Sequence, residues 1–124
     1  IDNNEGPQKQ IKSFLEHNKK IDGIIAADNA SGVIAINTAT SLGYNIPKDM
    51  SIIGFADDII SKLSVPKLST INQHAEEIGK SAVQLLVKRL ENKGDPIEPE
   101  TKVVKTSLVI RESSWLLFRF CGFI

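Results

Sequence analysis

Apolar and polar positions along the chain change period several times, and each change marks an element. Between Pro7 and Lys20 the apolar residues Ile11, Phe14 and Leu15 recur at helical spacing among Lys, Gln and Glu. With Pro7 suited to a first helical position, this predicts a surface helix. Asp22-Gly23-Ile24-Ile25-Ala26-Ala27 is a short continuous apolar run bounded by a turn, which predicts a central parallel strand buried on both faces. Asp28, Asn29 or Ser31 can cap a following helix, whose Val33, Ile36, Ala39, Thr40 and Leu42 share helical periodicity until Gly43 ends it. After a loop from Tyr44 to Asp49, Ser51-Ile52-Ile53-Gly54-Phe55 predicts a second buried strand. Strand, helix, strand in this order implies a right-handed parallel crossover.

The second half is less regular. Between Ile59 and Lys67 no period holds, and Val65-Pro66 forces an extended conformation ahead of a short strand, Leu68-Ser69-Thr70-Ile71. A helix from His74 to Lys93 follows, with Ile78, Ala82, Leu85, Leu86 and Leu90 as its apolar stripe. Glu76 and Glu77 suit its positive N-terminal end, and Lys88, Arg89 and Lys93 its negative end, before Gly94 stops it. Asp95 to Glu100 is a rigid polar connector, and Val103 to Ile110 is a β-branched last strand. The order describes an α/β fold, a parallel-sheet α/β sandwich. From Trp115 to Ile124 the chain turns apolar without alternation and holds the only Trp, the only Cys and three of the five Phe. Residues 1–114 are therefore expected to form the domain, and 115–124 a foreign or atypical extension, with an added core element as the alternative.

Composition narrows the classes. The chain has 124 residues, 15 Lys plus Arg against 15 Asp plus Glu, and 41% hydrophobic residues, the balance of one ordinary soluble domain. Zero formal charge argues against this segment gripping nucleic acid by itself, because phosphate neutralisation needs basic residues in surplus on one face. Cys121 is alone and cannot form an internal disulfide, and no Cys/His cluster has the spacing of a zinc site, so neither metal nor cofactor is expected. There is no basic-then-apolar leader, no apolar run long enough for a membrane span and no initiator methionine. The chain reads as soluble and as part of something longer.

In open parallel sheets the ligand crevice lies outside the carboxyl ends of the strands. Asp28-Asn29 follows the first predicted strand and Ala56-Asp57-Asp58 the second, so both clusters should line one rim. An ionised Asp accepts several hydrogen bonds and Asn offers donor and acceptor together, which suits sugar hydroxyls. The same residue types after a strand are also ordinary helix caps and turn formers. An enzyme reading has little to stand on. No nucleophile elbow or metal motif is present, His17 and His74 fall on a polar helix face and a helix start, and the turn after Ala27 lacks the G-x-G-x-x-G of dinucleotide binding. No catalytic residue is assigned.

Several motifs in order carry a family resemblance. Ala26-Ala27-Asp28-Asn29, Leu42-Gly43, Ile46-Pro47-Lys48-Asp49-Met50-Ser51-Ile52-Ile53-Gly54-Phe55, Pro66 to Gln73 and Ser107-Leu108-Val109-Ile110-Arg111-Glu112-Ser113-Ser114 resemble the LacI/GalR transcriptional regulators. The likeness spans about Asp22 to Ser114. It implies a partial periplasmic-binding-protein-like fold with a Rossmann-like lobe, the C-terminal part of a two-lobed sensor that closes on a small molecule, usually a sugar or nucleobase. It also implies operator DNA as partner through an N-terminal helix-turn-helix outside this chain, a homodimer, a cytoplasmic location and no membrane partner.

Residue by residue, the family's Asn-Asp pair corresponds to Asp28-Asn29 in reversed order, so either Asp28 reaches the ligand from one position earlier or Asn29 does so with a neutral amide. Gln73 matches the family's glutamine after the crossover strand. The Gly-Phe/Tyr-Asp-Asp/Asn motif appears as Gly54-Phe55-Ala56-Asp57, with Ala56 in place of the first acid. Asp57 is then a ligand candidate, and Phe55 is core, cleft wall or a platform under a sugar ring. The helix from Ala30 to Leu42 resembles the family's dimer helix, which makes Val33, Ile36 and Asn37 interface candidates, with burial against the chain's own sheet as the alternative. A sugar-binding protein of an importer is the competing reading. In the family the chain crosses to the other lobe after Ile71, so the 74–93 helix is expected either to fold back onto the C-terminal lobe or to pair in an intertwined oligomer.

Overall fold

A single sheet organises the chain, and helices cover one of its faces. The computed structural model describes residues 6–92, 94 and 98–115. Its elements run α1 (Pro7–His17), β1 (Gly23–Ile25), α2 (Asn29–Ser41), β2 (Ser51–Phe55), α3 (Ile59–Leu63), β3 (Ser69–Asn72), α4 (Ala75–Glu91) and β4 (Ser107–Val109). The strand order is β1-β2-β3-β4. β1 pairs parallel to β2 with Ile25 opposite Ile53, and β2 parallel to β3 with Phe55 opposite Ile71. The α/β expectation holds, and the strand–helix–strand crossover through α2 is present.

Two strand expectations are corrected. β1 is the outermost described strand rather than a central one, and Ile25 is 74% exposed. Ser51 N donates to Asp22 O and Ala26 N to Ile53 O, so only alternate residues of β1 turn towards β2. β4 runs antiparallel to β3, with Thr70 opposite Val109, and is shorter than the apolar run that predicts it. The reason is the return path. α4 leaves the carboxyl end of β3, and residues 98–104 come back along it: Lys88 Nζ meets Glu100 Oε2 at 3.0 Å, and Val104 shares a groove with Ile78. A chain that returns at the carboxyl edge enters the sheet antiparallel.

α2 is apolar nearly all round because it is enclosed on several sides. It packs on β2, α1 and α3, and Leu15, Ala35, Ile36, Ala39, Met50, Ile52 and Leu68 form the buried core between them. Its contact with the sheet is close. A methyl group on Gly32 would lie 2.8 Å from Leu68 Cδ2, and one on Gly54 would lie 2.7 Å from the same atom and 2.9 Å from Asn29 Oδ1. These glycines let the backbones of α2 and β2 approach around Leu68, which is fully buried.

Ser113 and Ser114 are built into the sheet through polar contacts. Ser113 lies between β2 and β3 just before they begin to pair: Ile52 N donates to Ser113 O, and Ser113 N donates to Lys67 O. Its hydroxyl donates to Ile52 O at 2.6 Å and accepts from Ser69 N at 2.8 Å. Ser114 Oγ adds a 2.7 Å bond to Ser69 Oγ.

For α4, one of the two expected arrangements is not found. The helix does not fold back onto the lobe: it makes no extensive contact with the sheet or the other helices, and Val83, Leu86, Val87 and Leu90 are exposed. Among the described residues, its apolar stripe has the 98–104 strap on one flank. α3 is absent from the hydrophobic pattern because it is short and polar-capped, with Asp58 Oδ1 accepting from Ile60 N and Ser61 N. Trp115 is exposed beside Gly23 and Ser51; the rest of the apolar tail, 116–124, lies outside the described residues, as do Lys93 and residues 95–97 of the connector.

Gly54→Ala is expected to lower the unfolding free energy by about 1–3 kcal/mol, since overpacking a filled core forces Leu68 and Asn29 to move. Urea unfolding followed by circular dichroism measures it, and a change within error would contradict the close approach described here.

Candidate functional site

A cleft of about 650 Å³ opens at the carboxyl ends of β2 and β3. Ala56, Asp57 and Asp58 form one wall, Asn72, Gln73 and His74 the other, and the first turn of α4 the floor. The backbone at both turns is unusual. Ala56 has φ 77° and His74 has φ 53°, both left-handed conformations that non-glycine residues adopt at a cost. His74 is held in place by its N–H, which donates to Asn72 Oδ1 at 2.8 Å, and by its Nε2, 3.0 Å from Ser107 Oγ on β4. It is half-buried rather than a plain surface histidine.

Asp57 is the centre of a polar network. The Arg111 guanidinium pairs with its Oδ1, and Thr70 Oγ1 and Ser61 Oγ donate to the same oxygen at 3.0 and 3.4 Å. Arg111 Nη1 reaches Leu68 O at 2.8 Å and Thr70 Oγ1 at 3.1 Å, while Arg111 N donates to Ser69 Oγ. Both members of the pair are largely shielded, with side chains 14% and 12% exposed. Burial alone pushes the Asp57 carboxyl up, but hydrogen bonds from Arg111 and Thr70 and the charges of Arg111 and Lys62 outweigh it and hold the carboxyl below its ordinary value. Asp57 therefore stands at the rim with one oxygen fully engaged.

Asp28 and Asn29 stand at the carboxyl end of β1, outside the lining of this cleft but on the same edge of the sheet. Asp28 caps α2: its Oδ1 accepts from Ser31 N and its Oδ2 from Ser31 Oγ, each at 2.8 Å. These bonds lower its carboxyl, which stays exposed. Asn29 is buried between α2 and Gly54, and neither of its amide atoms has a partner among the described residues. Phe55, half-buried, ends β2. The cleft thus gathers Asp57 and Gln73 and leaves Asp28, Asn29 and Phe55 beside it.

Of the dimer candidates, Ile36 is enclosed in the core with no exposed surface, so it is not available to a second copy. Val33 is half-buried against the same core, and Asn37 is exposed. Arg111, Ser61 and Thr70 escaped the sequence reading as parts of the rim. The one available signal was a single basic residue closing the apolar run Val103–Ile110, opposite in charge to the acid that follows β2.

A family profile described as a periplasmic binding protein-like domain matches residues 2–114. The chain belongs to that family. It is similar to the ribose operon repressor of Halalkalibacterium halodurans, 33% identical over 107 residues that cover 86% of this chain and 32% of that protein. It is also similar to the HTH-type transcriptional regulator RegA of Clostridium saccharobutylicum, 35% identical over 104 residues, covering 84% of this chain and 31% of RegA. Among solved structures, a LacI family regulator from Arthrobacter sp. FB24 in complex with lactose superposes with a TM-score of 0.80 at 28% identity, over 90% of this chain and 41% of that one. The chain spans about a third of the length of the curated relatives it matches. These relatives are transcriptional regulators, which favours the regulator reading over the importer alternative.

Because Asp57 has a lowered carboxyl pKa, its contribution to stability is present above its ordinary pKa of 3.8 and is lost as pH falls through the folded-state value. Asp57→Asn is therefore expected to flatten the acid limb of the stability curve below about pH 4, at the cost of lower stability at neutral pH. Arg111→Met, which strands the carboxylate, is expected to cost on the order of 3 kcal/mol at pH 7. Chemical denaturation from pH 3 to 7 checks both, and identical acid limbs for the wild type and Asp57→Asn would contradict the assignment.

Proposed function

We propose that this chain is the C-terminal part of the effector-sensing and dimerisation domain of a LacI/GalR-type transcriptional repressor that responds to a sugar or related small molecule. The observation that carries the proposal is the cleft at the carboxyl ends of β2 and β3, which presents Gln73 and the acids after β2 within a chain of this family. Gln73 offers a donor and an acceptor to ligand hydroxyls, and Asp57 offers the part of its carboxylate that Arg111 leaves over. Phe55, which ends β2 beside the cleft, is the apolar candidate for contact with a sugar ring.

Asn29 adds a second kind of support. Among the described residues it is the one buried side chain whose polar atoms lack partners, and such an amide bears a desolvation cost that a ligand's hydroxyls would relieve. Asp28, one position earlier and exposed, marks the same rim. The relatives favour a sugar effector, since the similar Arthrobacter regulator forms a complex with lactose and the similar regulator CelR a complex with cellobiose.

The rest of the reading concerns the parent protein. Its N-terminal helix-turn-helix, outside this chain, binds operator DNA, and the protein is cytoplasmic and works as a homodimer. Asn37, on the exposed side of α2, meets its twofold mate. Effector changes operator affinity only through its differential affinity for two lobe arrangements. Among the described residues no helix is long and apolar enough to cross a membrane.

In the complete regulator, Gln73→Ala and Asp28→Ala are each expected to weaken effector binding about tenfold, the value of one good hydrogen bond, without changing the dimer mass. Asn29→Ala, which removes the amide without overpacking the contact with Gly54, is expected to weaken binding as well. Titration calorimetry with ribose, cellobiose and lactose checks these effects, and unchanged affinities across the three variants for a sugar that binds the wild type would refute the site.

A further inference from the structure

Three polar groups of His74 hold three different segments. Its N–H donates to Asn72 Oδ1 at 2.8 Å, across Gln73. Its carbonyl accepts from Glu77 N and Ile78 N at 2.9 and 3.1 Å and so opens the hydrogen-bond ladder of α4. Its ring Nε2 lies 3.0 Å from Ser107 Oγ, at the start of β4. Asn72 and Ser107 stand opposite each other at the end of the β3–β4 ladder, where the chain leaves for α4 and returns from the strap. A helix N-cap ordinarily turns its side chain onto the first turn, and Ser, Thr, Asp and Asn do so best. His74 occupies that position in the left-handed region, with φ 53° and ψ 52°, and its side chain makes no such bond. The backbone cost falls on a residue whose ring instead reaches the returning strand.

We propose that His74, acting through Ser107, is a positioning residue of the cleft: the pair fixes the angle at which α4 leaves the sheet, and with it the placement of Gln73. The proposal rests on the effector cleft described above. Among the described residues α4 has no extensive contact with the sheet or the other helices, so packing does not set its direction. The Lys88–Glu100 pair ties the strap to α4, so helix and strap form one arm joined to the sheet by two adjacent strands. A side-chain bond across those strands resists rotation of the arm. Glu76 and Glu77 of α4 form the cleft floor, whereas Asp57 and Asp58 on the wall are held by Arg111 and by the first turn of α3. Any change in the angle of α4 therefore alters the width of the cleft. Gln73 lies between Asn72 and His74, which bind each other, so its backbone is held where its side chain lines the cleft.

Spin labels at Thr40→Cys on α2 and Gln84→Cys on α4, both exposed positions, in a Cys121→Ser background of the 124-residue chain, read the placement of α4 as a distance distribution. One narrow distribution is expected. Ser107→Ala is expected to lose it, and Ser107→Thr, which keeps the hydroxyl, to restore it. His74→Asn tolerates the left-handed backbone but ends short of Ser107, so it is expected to match Ser107→Ala, and the double variant to add nothing further. The chain has two histidines, and their imidazole nitrogen resonances supply a control: Ser107→Ala is expected to move those of His74 and leave those of His17, bonded to Ser13 O, in place. In the complete regulator Ser107→Ala is expected to weaken sugar binding about tenfold, with Ser107→Thr unchanged. A distribution already broad in the wild type overturns the proposal, as do equal widths in wild type and Ser107→Ala, or additive effects of the two substitutions. Sugar affinity that Ser107→Ala leaves intact overturns the link to the cleft. A complete regulator that binds no sugar counts instead against the function proposed above, and the distances still decide the pair.

Discussion

The grip of residues 111–114 on β2 and β3 holds the rest of the structure in register. Arg111 ties the rim acid Asp57 to Thr70, Leu68 and Ser61, and Ser113 bridges two strands where they have not yet paired. Parallel strands linked by crossovers have no tight turn to fix their spacing, so something else must set it. Here a short polar segment does so, by supplying donors and acceptors at the point where β2 and β3 splay. The charges are shielded and paired with each other, the condition under which a buried ion pair specifies geometry without leaving an orphaned charge.

That grip also decides what the cleft can be. Asp57 and Asp58 both follow β2 and look alike in the sequence, yet they have different duties. Asp58 caps α3, while Asp57 is shared between the fold and the rim. The opposite wall is set by His74, whose left-handed backbone turns the chain from β3 into α4 and whose ring reaches Ser107. Both walls therefore depend on residues from β4 or just beyond it, and cleft shape and sheet closure are one structural problem.

Much of the architecture was legible in the pattern of residues. The parallel crossover from β1 through α2 to β2 follows from two apolar runs around a capped helix, and the family was readable from separate motifs in order. What escaped has physical causes. Ile24 and Ile25 read as a doubly buried strand because local pattern reports what a strand could bury, whereas the described neighbours cover only one side of β1. Ile36 was open to either a core or an interface, because burial by one's own chain and by a partner call for the same side chain. The role of Arg111 depends on a contact across 54 residues of sequence, and no local period encodes such a pairing. Asn29 was legible as a candidate, but not that its amide would be enclosed against Gly54 without a partner.

The position of Ser113 also bears on the order of folding. Its contacts reach back 44 residues to Ser69 and 61 to Ile52, so a pair of strands in the middle of the chain is completed by one of the last described residues. Contacts this distant impose a loop-closure cost before they give any return, and they tend to form late. During synthesis β1, α2, β2 and β3 emerge first, with the seam between β2 and β3 still open to water. Closure of the sheet therefore waits until the Arg-Glu-Ser-Ser segment has cleared the ribosome, which makes emergence of that segment a step in the formation of the cleft.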